Sequence, residues 1–273
     1  MRLFLAGVRI MKWLKGVLIN FQFFTSIPVP IELPMDQVHL EKAIKTFPLL
    51  GLIQGGMYAS LFYAILHWTP FSVLTAAMVL WLAGIIISGG IHLDGWMDTS
   101  DAFFSYRDQE KRLEIMKDPR TGAFGVLSVI VLLAAKFFFM YEITQKVLPA
   151  TYLFIVVIPF FGKMVMGVLL LKVKVAKSEG LGTLFKNASN KNTLFIYPIY
   201  VILLFLAAGM LFSQFLFGMV VFTIVSILIL LILSKKIVSW FGGMTGDVLG
   251  ASVEGTELVL WMTLWLLHYF AMG

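Results

Sequence analysis

Residues 71–101 read FSVLTAAMVLWLAGIIISGGIHLDGWMDTSD. Positions 71–90 carry no charge at all, and Asp94, Asp98 and Asp101 then follow in quick succession. A bilayer's hydrocarbon core of about 30 Å takes roughly 20 helical residues, so the apolar half is long enough to cross it. Comparable runs at about 46–67, 122–144, 149–171, 193–212, 216–234 and 255–272 bring the expected spans to about seven. In lipid every backbone N–H and C=O must be paired within the protein, and these runs are too long for barrel strands. The expected fold class is therefore all-α, a polytopic membrane bundle read as one integral domain over residues 1–273.

Composition agrees, since 60% of the residues are hydrophobic, only 13% are charged and the mean hydropathy is +0.93. Such values lie outside the range of soluble domains. There is no cysteine, which excludes disulfides and thiolate metal sites. The N-terminal stretch is different, because Arg2, Arg9, Lys12 and Lys15 recur through an apolar background. Residues 1–30 are expected to form an amphipathic helix on an anionic leaflet, ended by Pro28 and Pro30. Those charges, with no small-residue cleavage site after them, argue against a cleaved signal peptide.

Lys and Arg fix the orientation. Of the 21, 18 fall before residue 46 or in 92–121, 172–192 and 235–254, which share one side if the N-terminus is cytoplasmic. The opposite turns, near His67–Pro70, Gln145–Leu148 and Phe212–Gln214, hold only Lys146, while Lys136 and Lys163 fall within spans. By the positive-inside rule the three polar loops face the cytoplasm. The net charge of +6 is thereby accounted for, with the lipid bilayer as partner and no nucleic acid required.

Seven of the 15 acids and five of the bases lie in residues 90–125. The i, i+4, i+7 spacing puts Asp94, Asp98 and Asp101 on one face of a helix continuing from the span before it. Like charges so placed repel unless a hard divalent cation joins them, and Mg²⁺ suits a site completed by waters and substrate phosphates. The competing reading is a solvated helix start. His92 is a candidate for orienting a ligand or moving a proton, or else a residue of the interface. Arg107, Arg112, Lys117 and Arg120 could clamp phosphate oxygens, and Thr121-Gly122 offers donors at a helix N-terminus. Alternatively, 107–117 is a surface helix laced by pairs such as Asp108 with Lys111 or Arg112. Two further loops, Lys177–Thr183 with Glu179 and Gly242–Glu254 with Asp247, mix glycine with acids and are read as active-site loops or as connectors.

With these residues assembled, the chain resembles the cobalamin synthase family of membrane ribazoletransferases nearly end to end. The likeness is carried by Gln22–Pro30, Phe47–Gly51, Gly89–Asp101, Arg107-Asp108, Arg112, Ile115–Asp118, Gly122–Gly125, Glu179–Gly182 and Gly242–Asp247 with Gly250-Ala251. Two details depart from it: Lys163 stands where an arginine is usual, and Phe103-Phe104 fills a stretch usually rich in glycine. The resemblance implies joining adenosylcobinamide-GDP to α-ribazole or its 5′-phosphate, with release of GMP. It implies Asp94 and Asp98 as Mg²⁺ ligands, Asp101 as ligand or base, and Arg112, Lys117 and Arg120 on the pyrophosphate. Arg107, Asp118, Glu179 and Asp247 join the substrate-binding set, the last two for a second metal or the nucleotide. Self-association, or association with other cobamide-assembly enzymes, is left open.

Two alternatives stand beside it. Gly90-x3-Asp94-x3-Asp98 also looks like half of the CDP-alcohol phosphotransferase signature, but residues 71–90 lack the acids of the other half. A divalent-cation transporter would place its acids within broken helices near the midplane and show repeated halves.

Overall fold

The structure is a computed structural model that describes residues 2–211 and 215–271; the expected turn at Phe212–Gln214 lies outside them. Twelve α-helices follow one another among the described residues: α1 (Arg2–Phe24), α2 (Gln37–Lys45), α3 (Phe47–Trp68), α4 (Val73–Ser88), α5 (Ile91–Phe104), α6 (Gln109–Ile115), α7 (Ala123–Thr144), α8 (Pro149–Lys172), α9 (Leu181–Ala188), α10 (Ile196–Leu211), α11 (Phe215–Phe241) and α12 (Gly246–Phe270). No strand occurs among these residues; one isolated parallel bridge joins Val175 to Met244. The all-α expectation holds.

Five helical stretches are long and apolar enough to cross a membrane: α3, α7, α8, 193–210 and α11. α4 and α5 pass the same test only as a pair, bent by 85°. The aspartate helix therefore does not continue the preceding span. Gly89 and Gly90 both adopt left-handed backbone, φ +68° and +74°, where a side chain would be strained, and the chain turns there. α12 begins at Gly246, well before the run expected from 255, and carries Asp247, Glu254 and Glu257 along its length. The count of about seven expected spans thus resolves into five, a bent pair and a long charged helix.

α8 is the centre, buried along most of its length and packed on α3, α11 and α12. Its contact with α3 is close, since a Cβ on Gly51 or Gly55 would lie 2.4 Å from Pro159 O or 2.1 Å from Val156 O. Small residues at such a crossing let the backbones approach, as helix association in lipid requires. α1 docks on α2 through Asn20, whose amide donates to Ala43 O (2.8 Å) and Thr46 Oγ1 (2.9 Å), leaving Ile10, Met11 and Leu14 exposed.

Candidate active site

The site forms where the broken limb α5 crosses the start of α12. Gly95 makes this crossing possible, because a Cβ there would lie 2.6 Å from Asp247 O. Asp247 is thereby drawn beside Asp94 and Asp98. A second polar loop is stitched to the same place by the bridge, with Met244 N donating to Lys174 O (2.7 Å) and Ala176 N to Met244 O (3.0 Å). This brings Lys177 within electrostatic reach of Asp247 and Asp98, and Lys117 within reach of Lys177.

α5 lies outside the five crossing helices, and its charges feel one another. Partial burial raises the Asp98 carboxyl to about 6, and the neighbouring Asp94, Asp247 and Asp101 push it the same way while Lys177 opposes them. Burial lowers the Lys177 ammonium. Among the described residues neither Asp94 nor Asp98 has a hydrogen-bonding or ion-pair partner from the protein, and no three acidic or imidazole side chains converge into a closed metal cage. Two carboxylates that no group among the described residues bonds, with Lys177 only at electrostatic range, suit Mg²⁺, which is commonly held by one or two carboxylates and completed by water and phosphate.

Asp101 sits differently. Its Oδ2 accepts from Gly122 N (2.7 Å) and its Oδ1 from Gly125 N (2.8 Å), so the carboxylate caps the N-terminus of α7. Of the donors expected to meet phosphate at Thr121-Gly122, the Gly122 amide is occupied by this side chain. His92 is buried, stacks on Phe24 with ring centroids 5.8 Å apart, and accepts at Nε2 from the Lys163 ammonium. It is not an interfacial residue. Beneath it Lys136 bonds Glu254 (2.6 Å) and Glu257 (3.2 Å) among buried side chains. Glu254 shares a helix with Asp247 but lies two turns deeper, with Lys136 and not with the mouth.

The bases divide. The Arg112 guanidinium donates to Trp240 O (3.0 Å) and Phe103 O (3.4 Å) and lies over the Phe103 ring, tying α6 to α5 and α11. Arg120 clamps Asp118 through Nε and Nη2 at 2.9 and 2.6 Å, which holds that carboxyl down at about 2. Lys111 pairs with Glu114 (2.5 Å), while Asp108 caps α6 by accepting from Lys111 N. Arg107, Lys117 and Glu179 are exposed. Sequence reasoning missed Lys177 as a partner of the acids, and missed the Lys163–His92 contact. Nothing in the spacing signals the first; the second was foreshadowed by a lysine inside an apolar span, which needs an acceptor.

The family model described as cobalamin-5-phosphate synthase matches residues 16–265. The chain belongs to that family. Adenosylcobinamide-GDP ribazoletransferase of Geobacillus thermodenitrificans (strain NG80-2) is 39% identical, across 94% of this chain and 98% of its own length. The proteins of the same name from Geobacillus kaustophilus (strain HTA426) and Clostridioides difficile (strain 630) are 37% and 33% identical; each match covers 94% of this chain, and 98% and 99% of the relative. No solved structure matches the chain. For a cobalamin-5-phosphate synthase family member, the cluster at the α5–α12 crossing is an acidic centre flanked by lysines, the pairing that suits a metal and a phosphate donor.

Proposed function

We propose that this protein transfers the adenosylcobinamide-phosphate group from adenosylcobinamide-GDP to α-ribazole or its 5′-phosphate, releasing GMP at the cytoplasmic face of a prokaryotic inner membrane. The observation that carries this reading is the convergence of Asp94, Asp98 and Asp247 with Lys177 on one mouth, in a chain of this family. In the transfer, a ribose hydroxyl oxygen bonds to the phosphorus next to the corrinoid arm. The bond from that phosphorus to the bridging oxygen breaks, GMP leaves with the oxygen, and the hydroxyl proton passes to base. Asp94 and Asp98 are the residues to hold Mg²⁺, which when bound supplies charge neutralisation on the pyrophosphate. Lys177 and Lys117 take phosphate oxygens as point charges, and the exposed Arg107 is a further cation for the same work. Asp101 acts by fixing α7 against α5, and Asp247 keeps the acidic field in which Asp98 sits.

The test uses the purified chain in detergent with adenosylcobinamide-GDP, α-ribazole-5′-phosphate and either Mg²⁺ or EDTA. Metal-dependent formation of GMP and the joined corrinoid in equal amounts is expected. GMP formed without the joined product, or neither from a folded sample, overturns the reading.

A further inference from the structure

Beside the carboxylates a second feature opens, which the acidic cluster does not explain. A cavity of about 140 Å³ runs between α5, α8, α9 and the start of α12, next to the ends of α1 and α3. Phe24, Phe47 and Phe185 form much of its wall, packed on one another with ring centroids 5.4 to 6.1 Å apart. His92 adds a fourth ring, stacked on Phe24 and held in place by Lys163. Asp94 and Asp247 also line this cavity, so the aromatic walls and the carboxylates belong to one space.

We infer that this cavity is the subsite for the flat aromatic base of the acceptor nucleoside, which it holds so that the attached ribose meets the carboxylates. The inference rests on the activity proposed above. An apolar cavity of roughly 150 Å³ admits a benzene-sized ring, so the volume takes one ring of a bicyclic base and excludes a corrin macrocycle. Aromatic walls favour a flat ring by stacking and edge contacts. Two bases take part in the reaction, and the choice between them follows from polarity. Guanine presents acceptors at O6 and N7 that need donors. The only neutral donor candidate among the lining side chains is His92, which is already engaged by Lys163, and the two carboxylates are the metal's neighbours. A benzimidazole-type base presents a single ring-nitrogen acceptor and otherwise apolar edges, so it leaves fewer polar atoms unpaired there than guanine.

Gly182 gives a clean way to test the assignment. It lines the cavity from α9, and a Cβ at that position would meet Gly246 N at 3.7 Å and Leu249 Cδ1 and Thr245 C at 3.8 Å, ordinary van der Waals contacts, so a methyl group fits the fold there. Gly182→Ala is a mild narrowing and Gly182→Leu a plug. Binding of α-ribazole to the full chain in detergent, followed by equilibrium dialysis, should weaken stepwise and by at least about tenfold in Gly182→Leu, the scale of a few misplaced methylenes in a pocket. Free benzimidazole should compete with α-ribazole for the parent protein. In turnover the KM for α-ribazole-5′-phosphate should rise while that for adenosylcobinamide-GDP stays within about twofold, since the change reaches one substrate alone. Unchanged α-ribazole binding in Gly182→Leu, or a rise confined to the GDP substrate, overturns the assignment. Because dialysis needs no turnover, a parent that binds α-ribazole in a Gly182-sensitive way but releases no GMP keeps the subsite and overturns only the activity.

Discussion

Replacing Lys136 by methionine removes the only cation bonded to Glu254 and Glu257 among the described residues while keeping a side chain of similar length. The ammonium lies 2.6 and 3.2 Å from the two carboxylates, whose side chains are 6% and 17% exposed. At an effective dielectric of about 20 those distances correspond to gross attractions of roughly 6 and 5 kcal/mol. Much of that attraction offsets the cost of taking three charges out of water. What the substitution exposes is the uncompensated remainder, about 3–5 kcal/mol for breaking a buried pair. By the size scaling of thermal unfolding this lowers Tm by on the order of 10 °C. Thermal unfolding of the detergent-solubilised protein followed by tryptophan fluorescence is the assay. The triple variant Lys136→Met/Glu254→Gln/Glu257→Gln leaves no carboxylate unpaired at the position and should regain part of the loss, the remainder reflecting the buried Lys163, which feels both glutamates. A single variant within about 1 kcal/mol of the parent, or a triple variant as unstable as the single, refutes the reasoning.

The carboxylates of α5 should separate by role. Asp94→Asn and Asp98→Asn should each weaken Mg²⁺ binding, read by isothermal titration calorimetry, and suppress GMP release, with Tm unchanged or raised because a repelling charge is gone. Asp101→Asn should leave Mg²⁺ affinity within about twofold yet lower stability by about 0.5–2 kcal/mol, the usual worth of a helix cap, measured as a shift in unfolding midpoint. On α3, Gly55→Leu forces a side chain into Val156 backbone and should destabilise by about 1–3 kcal/mol or more, whereas Gly56→Leu, whose Cβ meets nothing within 4 Å, should unfold like the parent.

Apolar runs made the helices legible, because lipid leaves the backbone few choices and the runs are long. The bend at Gly89–Gly90 was not legible, since two adjacent glycines serve a continuous helix crossing or a reversal equally well in a string of letters. The cluster of Asp94 and Asp98 could be read from i, i+4 spacing on one helix. Asp101 shares that spacing, yet its partners are amides 21 and 24 residues on, which no local pattern announces. Asp247 and Lys177 joined the site through the Gly95 crossing and the Val175–Met244 bridge, contacts between segments far apart in the chain. Arg112 illustrates the opposite case: the residue type suits phosphate, and the fold spends it on two carbonyls.

The Lys136–Glu254 pair also sets a timetable. Its halves are 118 residues apart, and ribosomes add about 5–20 residues each second, so roughly 6–24 s separate their synthesis. Through that interval α7 has its ammonium at hand but neither of the carboxylates that hold it in the finished protein. A nascent chain that stops before Gly246 therefore holds the Lys136 ammonium in α7 without either of the carboxylates it meets in the finished protein.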